Sequence, residues 1–274
     1  MALADLPGRA LGLLLDGLLL PFREAPPFWG LLFLSLLSGL GMIAVFGRVS
    51  DQDAIGRLRR RMTGDALGIL LHVSRPGAVM RFVGRLLADN SAYLWHVLRP
   101  LLVLAFPFAL LWGQLEARYA TVDLAEGIDP VTVTLRWIEA PSRSAMTPSG
   151  TRIAIDGPVM RIDTLRQTSF RIVALPGHPR SLTAGGVSFP VGRTGDWNGS
   201  VISRGFLSGR PIERLFKPWL TGVRAVPGGP SAGWLVLPPA GYGVLGGHWS
   251  WIAVFLVFSS LSALAGARLF RVRI

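Results

Sequence analysis

Three long apolar stretches dominate the pattern of hydrophobic and polar positions along the chain. Residues 28–46 and 249–267 each form 19 positions without a charge, and residues 94–114 are interrupted only by Arg99. At about 1.5 Å per residue, 19 helical residues extend roughly 28 Å, close to the hydrocarbon thickness of a bilayer. Because lipid offers backbone groups no hydrogen-bond partners, such stretches must be helical. The pattern predicts an integral membrane α-helical protein with three transmembrane helices.

The segments between these stretches differ in character, and together they predict a domain organisation. The N-terminal apolar segment, residues 10–20, is too short to span a bilayer and contains Asp16. We interpret it as an interfacial amphipathic helix ended by Pro21, with a signal peptide as the alternative. We expect an outer-face amphipathic segment at 1–27, transmembrane helices at 28–47, 93–114 and 249–267, a basic helical hairpin at 48–92, a β-rich domain at 115–248 and a basic tail at 268–274.

The segment between the first two spans predicts two antiparallel helices. Asp51 can cap the first helix, Pro76 is suited to the first turn of the second, and Asp89 with Asn90 can end it. The first helix carries four arginines: Arg57, Arg59, Arg60 and Arg61. They are either the solvated face of a hairpin that buries its own apolar stripe or a basic surface for anionic lipid, a ribosome or a nascent chain.

The segment between the second and third spans has strand-like periodicity. Residues 131–138 alternate between apolar and polar types, and glycine and proline separate several further short apolar runs. This spacing predicts an inserted extra-cytoplasmic all-β, sandwich-like domain. The predicted strands are 131–138, 152–155, 159–162, 169–174, 187–191 and 234–237, with a short helix at 212–220 and a glycine-rich link at 241–247.

Charge predicts the orientation of the chain. The formal net charge is +12, and residues 48–92 contain eight arginines against four aspartates. The C-terminal tail adds Arg268, Arg271 and Arg273 without an acidic residue. Since short arginine-rich loops stay on the cytoplasmic side, we expect the hairpin and C-terminus to be cytoplasmic in a bacterial inner membrane. The N-terminus and the β domain are then periplasmic.

Residue patterns that carry catalytic or ligand-binding chemistry are scarce. The chain has no cysteine, and its four histidines are scattered without metal-ligand spacing. No glycine-rich phosphate loop and no nucleophile elbow is present in a suitable context. We therefore expect no catalytic residues, no metal, no cofactor and no nucleic acid as a specific ligand. An envelope enzyme or a sugar-binding module in the β domain remains an alternative.

Polar residues within the apolar stretches are the better candidates for a functional site. Arg99 and Gln114 lie in the second span, and Ser35 and Ser38 lie in the first. If these side chains converge, they line a partly polar groove. The alternatives are that Arg99 extends its charge to the headgroups and that the serines allow close helix packing.

The order of these elements resembles the YidC-type membrane insertase superfamily, whose minimal core has three spans. The resemblance is carried by residues 47–62 (GRVSDQDAIGRLRRRM) and 90–115 (NSAYLWHVLRPLLVLAFPFALLWGQL). It implies a hydrophilic groove that eases the entry of polar segments into the bilayer, a role that would fall to Arg99 here. The first span lacks an arginine, and the β domain lies between the last two spans, unlike in YidC itself.

Two functions follow as expectations. The first is a non-enzymatic inner-membrane protein with an insertase-like core that aids the insertion or assembly of other membrane proteins. The second is a structural accessory subunit of a large respiratory or photosynthetic complex, docking through its transmembrane helices and β domain. In both, the partners are the lipid bilayer and other membrane proteins.

Overall fold

The chain divides into two compact units in a computed structural model. One unit comprises Met1–Leu32 and Ala109–Val254, and the other comprises Phe33–Phe108 and Phe255–Ile274. The structure describes residues 6–124, 130–139, 148–177, 179–195, 197, 199–208, 211–223, 226–244 and 246–270. Arg271 and Arg273 of the predicted basic tail lie outside the described residues.

Helices occupy most of the first 120 residues and the end of the chain. They are α1 (Leu6–Leu19), α2 (Pro27–Val49), α3 (Gln52–Leu71), α4 (Pro76–Tyr119), α5 (Pro211–Phe216) and α6 (Trp251–Leu269). By length and composition, α2, α4 and α6 can each cross a membrane. The coarse prediction of three long apolar helices with a separate β region is confirmed.

The strands between α4 and α6 form several sheets. They are β1 (Val131–Trp137), β2 (Ser149–Thr151), β3 (Ile153–Ile162), β4 (Gln167–Ala174), β5 (Ser181–Ala184), β6 (Val187–Pro190), β7 (Gly192–Arg193), β8 (Ile202–Ser203), β9 (Gly205–Ser208), β10 (Leu220–Val223), β11 (Pro230–Leu235), β12 (Gly241–Val244) and β13 (Gly247–Ser250). The largest sheet has the order β10-β9-β11-β1-β4-β3, antiparallel except for the parallel pair β9–β10.

The core of the β region comes from alternating positions. Val133, Leu135 and Trp137 of β1 are buried, and Leu182 of β5 and Phe189 of β6 belong to the same cluster. The six-stranded sheet and the three-stranded sheet β2-β5-β6 therefore contribute side chains to a common apolar core. Burial of every second side chain is the pattern of a strand with one face on a core.

The second helix of the hairpin does not end at Asp89 and Asn90, which corrects that prediction. It is part of α4, which extends for 44 residues from Pro76 to Tyr119. No glycine follows Asn90 to adopt the left-handed conformation that commonly ends a helix, and the Ser91 hydroxyl donates to the Leu87 carbonyl one turn back. The helix therefore joins the predicted hairpin and the second span without a break.

The glycine-rich link predicted at 241–247 is a β-hairpin instead. β12 pairs with β13 in antiparallel orientation, with Gly241 opposite Ser250 at one end and Val244 opposite Gly247 at the other. Gly246 has a φ of +81°, a conformation that glycine adopts without steric cost, so it can complete the tight turn. The segments predicted as strands at 152–155 and 159–162 form the single strand β3, whose register shifts between Asp156 and Met160.

Candidate functional site

The predicted basic surface lies on the exposed side of α3. Asp51 caps this helix, accepting a 2.8 Å hydrogen bond from the Ala54 backbone amide, which also lowers the pKa of the Asp51 carboxyl. Ala54, Ile55 and Leu58 are buried. The four predicted arginines are all exposed: Arg57, Arg59, Arg60 and Arg61. The periodicity thus places the apolar residues inward and the cations outward.

Apolar side chains are exposed further along the same hairpin. Leu70 and Leu71 near the end of α3 are 71% and 80% exposed, and Met80 in the first turns of α4 is 70% exposed. Leu67, Val73 and Leu87 are also exposed. Leu67, Leu70 and Leu71 follow the i, i+3, i+4 spacing, so they share one face of α3. We define the hairpin surface as these six residues together with the four arginines.

One aromatic side chain connects the two helices of the hairpin. A Cβ added at Gly68 of α3 would lie 2.6 Å from the Phe82 ring on α4, so the helices approach closely there. The His72 ring lies 5.5 Å from the Phe82 ring, and the Arg85 guanidinium lies 4.9 Å from its centre. These contacts fix the turn between the helices but leave the hairpin surface uncovered.

Arg99 is exposed on α4 within its apolar stretch. Leu98, Leu101 and Leu102 around it are 46%, 49% and 60% exposed. The surface beside the arginine is therefore apolar, as expected of a face that contacts lipid or another helix.

The two serines predicted for the groove lie near a close approach of α2 and α6. Ser35 is fully buried, and the Ser38 hydroxyl donates to the Ser35 carbonyl at 2.9 Å. A Cβ added at the adjacent Gly39 would lie 2.1 Å from both the Ser259 carbonyl oxygen and the Ser262 hydroxyl. Small residues at such positions let helices pack tightly.

Gln114 belongs to a buried polar cluster at the C-terminal end of α4. Arg118, one turn further on, has a fully buried side chain that donates to the Gln114 amide oxygen. Its other terminal nitrogen lies 2.6 Å from a carboxylate oxygen of Asp16 and 3.3 Å from the Gly12 carbonyl oxygen on α1. The Gln114 amide nitrogen donates to the Gly8 carbonyl at 3.0 Å. These bonds hold α1 against α4.

This cluster lines a cleft of about 530 Å³ that also includes residues of α5 and β10. We call it the arginine cleft and define it by Gly12, Asp16, Gln114, Arg118, Arg214 and Gly222. Among the described residues, its charged lining residues are two arginines and one aspartate. A Cβ added at Gly222 would overlap the Arg214 guanidinium, so that side chain lies directly over the backbone of β10.

The end of α4 also bonds to the β region. Arg204 lies 3.2 Å from a Glu116 carboxylate oxygen and stacks over the Trp219 ring at 4.4 Å. Burial lowers the pKa of Arg204, and Glu116 opposes that shift. The Tyr242 hydroxyl donates to the Tyr119 carbonyl at 2.9 Å, and burial raises the pKa of the Tyr242 phenol. These contacts join the C-terminal end of α4 to the β region.

Sequence reasoning identified Gln114 but missed the other charged residues of the arginine cleft. Asp16 was seen only as an interruption of an apolar segment, and Arg118 and Arg214 were not singled out. A signal was present in part, because Gln114 and Arg118 are four apart and Gly8, Gly12 and Asp16 share a helix face. Among the residues that the structure describes, no group of three or more His, Asp or Glu side chains could hold a metal ion.

Comparison of the chain with protein-family models, curated proteins and solved structures gives no significant match.

Proposed function

We propose that this chain is a non-enzymatic membrane protein that aids the insertion or assembly of other membrane proteins. The observation that carries the proposal is the hairpin surface, where large exposed apolar side chains accompany four exposed arginines. A water-exposed surface of this kind is typical of a site that binds another protein.

The length of α4 supports a location of the hairpin surface outside the bilayer. Its 44 residues correspond to about 66 Å of helix, roughly twice the hydrocarbon thickness. Once residues 94–114 occupy the membrane, residues 76–93 extend about 27 Å beyond it. Lipid does not cover Met80 or Leu87 in that arrangement, whereas a client or partner protein can.

Arg99 suggests how such a protein would act within the membrane. A lone cation at the apolar surface of α4 offers a polar client segment an electrostatic partner at lipid depth. Moving an unpaired polar group into hydrocarbon costs several kcal/mol, and a nearby charge offsets part of that cost. In this proposal the hairpin surface, on the cytoplasmic side, recruits the client, and Arg99 lowers the barrier to its passage.

Reconstituted vesicles test this proposal directly. The client is a single-span membrane protein with a short polar N-terminal tail, and the readout is protection of that tail from external protease. We expect Arg99→Ala and the combined Arg57, Arg59, Arg60 and Arg61→Gln variant to slow insertion. Arg171→Gln, a change of the same charge on an exposed residue of β4, is the matched control. Unchanged insertion with both variants would refute the roles of Arg99 and the hairpin arginines.

A structural accessory subunit is the second candidate. It is compatible with the exposed apolar surface on α4, where Leu94, Trp95, Val103 and Phe106 are each at least half exposed and either lipid or a neighbouring subunit can cover them. A permanent neighbour helix would cover such a surface. Purification in mild detergent followed by a native gel and mass spectrometry separates the candidates. A discrete stoichiometric complex supports the subunit, and a monomer with substoichiometric membrane proteins supports the assembly factor.

A further inference from the structure

We propose that one face of α3 binds an acidic amphipathic helix of a client or partner protein. This inference deepens the proposed function: it rests on the hairpin surface binding another protein, and it specifies the chemistry of that protein. We call the binding surface the α3 face and define it by one half-buried and five exposed residues: Gly56, Arg60, Thr63, Gly64, Leu67 and Leu71.

The first argument is that these residues form a continuous stripe. From Gly56 to Leu71 they follow the spacing i, i+4, i+7, i+8, i+11, i+15, so they lie on one side of the helix over about 22 Å. The buried residues Ile55 and Leu58 lie on the opposite side. The exposed stripe covers about four helical turns, which is long enough for a second helix to lie along it.

The second argument is the division of charge and apolar surface along the stripe. Arg60 is exposed in its N-terminal half, and Leu67 and Leu71 are exposed in its C-terminal half. From residue 66 to residue 88 the chain contains three arginines and no acidic residue. The complementary partner therefore carries negative charge at one end of its contact face and apolar side chains at the other.

The third argument is the shape of the α3 face. A cleft of about 410 Å³ lies at its cationic end, and its described lining residues are Gly56, Arg59, Arg60 and Thr63, none of them acidic. A carboxylate side chain of a partner fits this space and can pair with the Arg60 guanidinium through two hydrogen bonds. Between the cleft and the leucines, a Cβ added at Gly64 would meet no atom within 4 Å. A partner helix can therefore approach the backbone of α3 closely there.

The pattern of α3 fits a protein helix better than a lipid surface. A helix that lies in a membrane interface carries its cations on the face opposite its apolar residues. In α3, Arg60 and Leu67 share the exposed face, and the opposite face with Ile55 and Leu58 is buried. A partner helix can be divided along its length in the same way as the α3 face, whereas a lipid surface is uniform along that length.

The test measures peptide binding to the full chain in phosphatidylcholine nanodiscs, with empty nanodiscs as the background. The probe is a fluorescent helical peptide of about 20 residues, with three glutamates in one half of its contact face and three leucines in the other. Both orders of the two halves are tested, and fluorescence anisotropy measures the affinity. We expect binding that weakens as salt is added. The same peptide with lysine in place of glutamate should bind at least about tenfold more weakly.

Two variants locate the binding on the α3 face. Gly64→Trp places a large side chain on the stripe, where the Cβ meets no neighbouring atom, and should weaken binding of the glutamate peptide at least about tenfold. The matched control is Gly17→Trp on α1, whose Cβ likewise meets nothing within 4 Å and which should bind the peptide like the natural chain. Arg60→Glu reverses one charge of the stripe and should bind the lysine peptide more tightly than the natural chain does.

Equal binding of the glutamate and lysine peptides to the natural chain would overturn the acidic chemistry of the partner, and unchanged binding in Gly64→Trp would overturn the location. If Gly64→Trp instead weakens association with phosphatidylglycerol vesicles and leaves peptide binding unchanged, lipid covers the α3 face and the inference is wrong. Insertion that depends on Arg99 without peptide binding would refute this inference alone. Peptide binding with unchanged insertion in both insertion variants would refute the proposed function alone.

Discussion

Arginine side chains serve in opposite environments in the hairpin and at the C-terminal end of α4. Arg57 and Arg61 are exposed on α3, where water solvates the charge. Arg118 is fully buried and bonds to a carboxylate, an amide and a backbone carbonyl from residues of α1 and α4. Arginine thus forms a solvated surface that tolerates substitution in the hairpin. At the C-terminal end of α4 it forms buried hydrogen bonds that hold two helices together. The difference arises from what surrounds each arginine and not from its own chemistry.

Arg118→Met should have the largest effect on stability. The variant removes three donated hydrogen bonds and leaves the buried Gln114 amide oxygen without this donor, which should cost about 3 kcal/mol. Equilibrium unfolding with increasing concentrations of a denaturing detergent, monitored by tryptophan fluorescence, measures this loss of stability. Arg57→Met is the matched control in the hairpin and should stay within about 0.5 kcal/mol of the natural chain. Equal losses at the two positions would remove the distinction between the regions.

Two glycines of α4 should show the same contrast in packing. A Cβ at Gly113 would lie 2.2 Å from the Phe216 carbonyl oxygen, whereas a Cβ at Gly84 in the hairpin meets nothing within 4 Å. Gly113→Ala should therefore destabilise the chain by about 1–3 kcal/mol through overpacking. Gly84→Ala should stabilise it by about 0.5–1 kcal/mol, because alanine favours the helix. Thermal unfolding of both variants tests this, and a stabilised Gly113→Ala would contradict it.

Replacing all four hairpin arginines by glutamine should alter binding and not folding. Each exposed arginine contributes within about 0.5 kcal/mol to stability, so the melting temperature should remain close to that of the natural chain. Association with vesicles that contain an anionic lipid should weaken, and its dependence on salt should decrease. A melting temperature several degrees lower would contradict the expectation that these arginines contribute little to stability.

The smallest expected effect concerns the cap of α3. Because the folded-state pKa of Asp51 is lowered, its contribution is present above the pKa of the unfolded chain, about 3.9, and is lost as pH falls through the folded value. Hydrogen exchange of the Ala54 amide, corrected for intrinsic rates, should therefore accelerate below about pH 4. Asp51→Asn keeps an acceptor without a titrating charge, so it should not show this pH dependence. The same pH dependence in Asp51→Asn would contradict the role of the carboxylate.

Local sequence patterns predicted much of the helical architecture. The N-terminal helix, the hairpin cap at Asp51 and the start of α4 at Pro76 follow from apolar periodicity and capping chemistry. Several strands were also predicted because their side chains alternate. The hairpin of β12 and β13 was missed because glycines occupy three of its eight strand positions, which hides the alternation.

The contacts of the candidate sites were harder to predict, because they join residues far apart in the chain. Asp16 and Arg118 are 102 positions apart, and no periodicity relates them. Arg214 comes from a third element that follows most of the β region. Gln114 could be identified because a polar side chain at the end of an apolar stretch is visible locally. Its bond to the Gly8 carbonyl, 106 positions away in the chain, could not be identified in this way.

The sequence by itself determined which helices are long and apolar enough for a membrane, where α3 begins and which residues of the hairpin carry positive charge. These properties depend on neighbours within one or two helical turns. Only the tertiary structure decided that Arg118 is buried while Arg57 and Arg61 are exposed, and that Gly113 packs against a backbone carbonyl while Gly84 faces open space. Burial depends on the distant segments that fold against a residue, and a local pattern does not specify those segments.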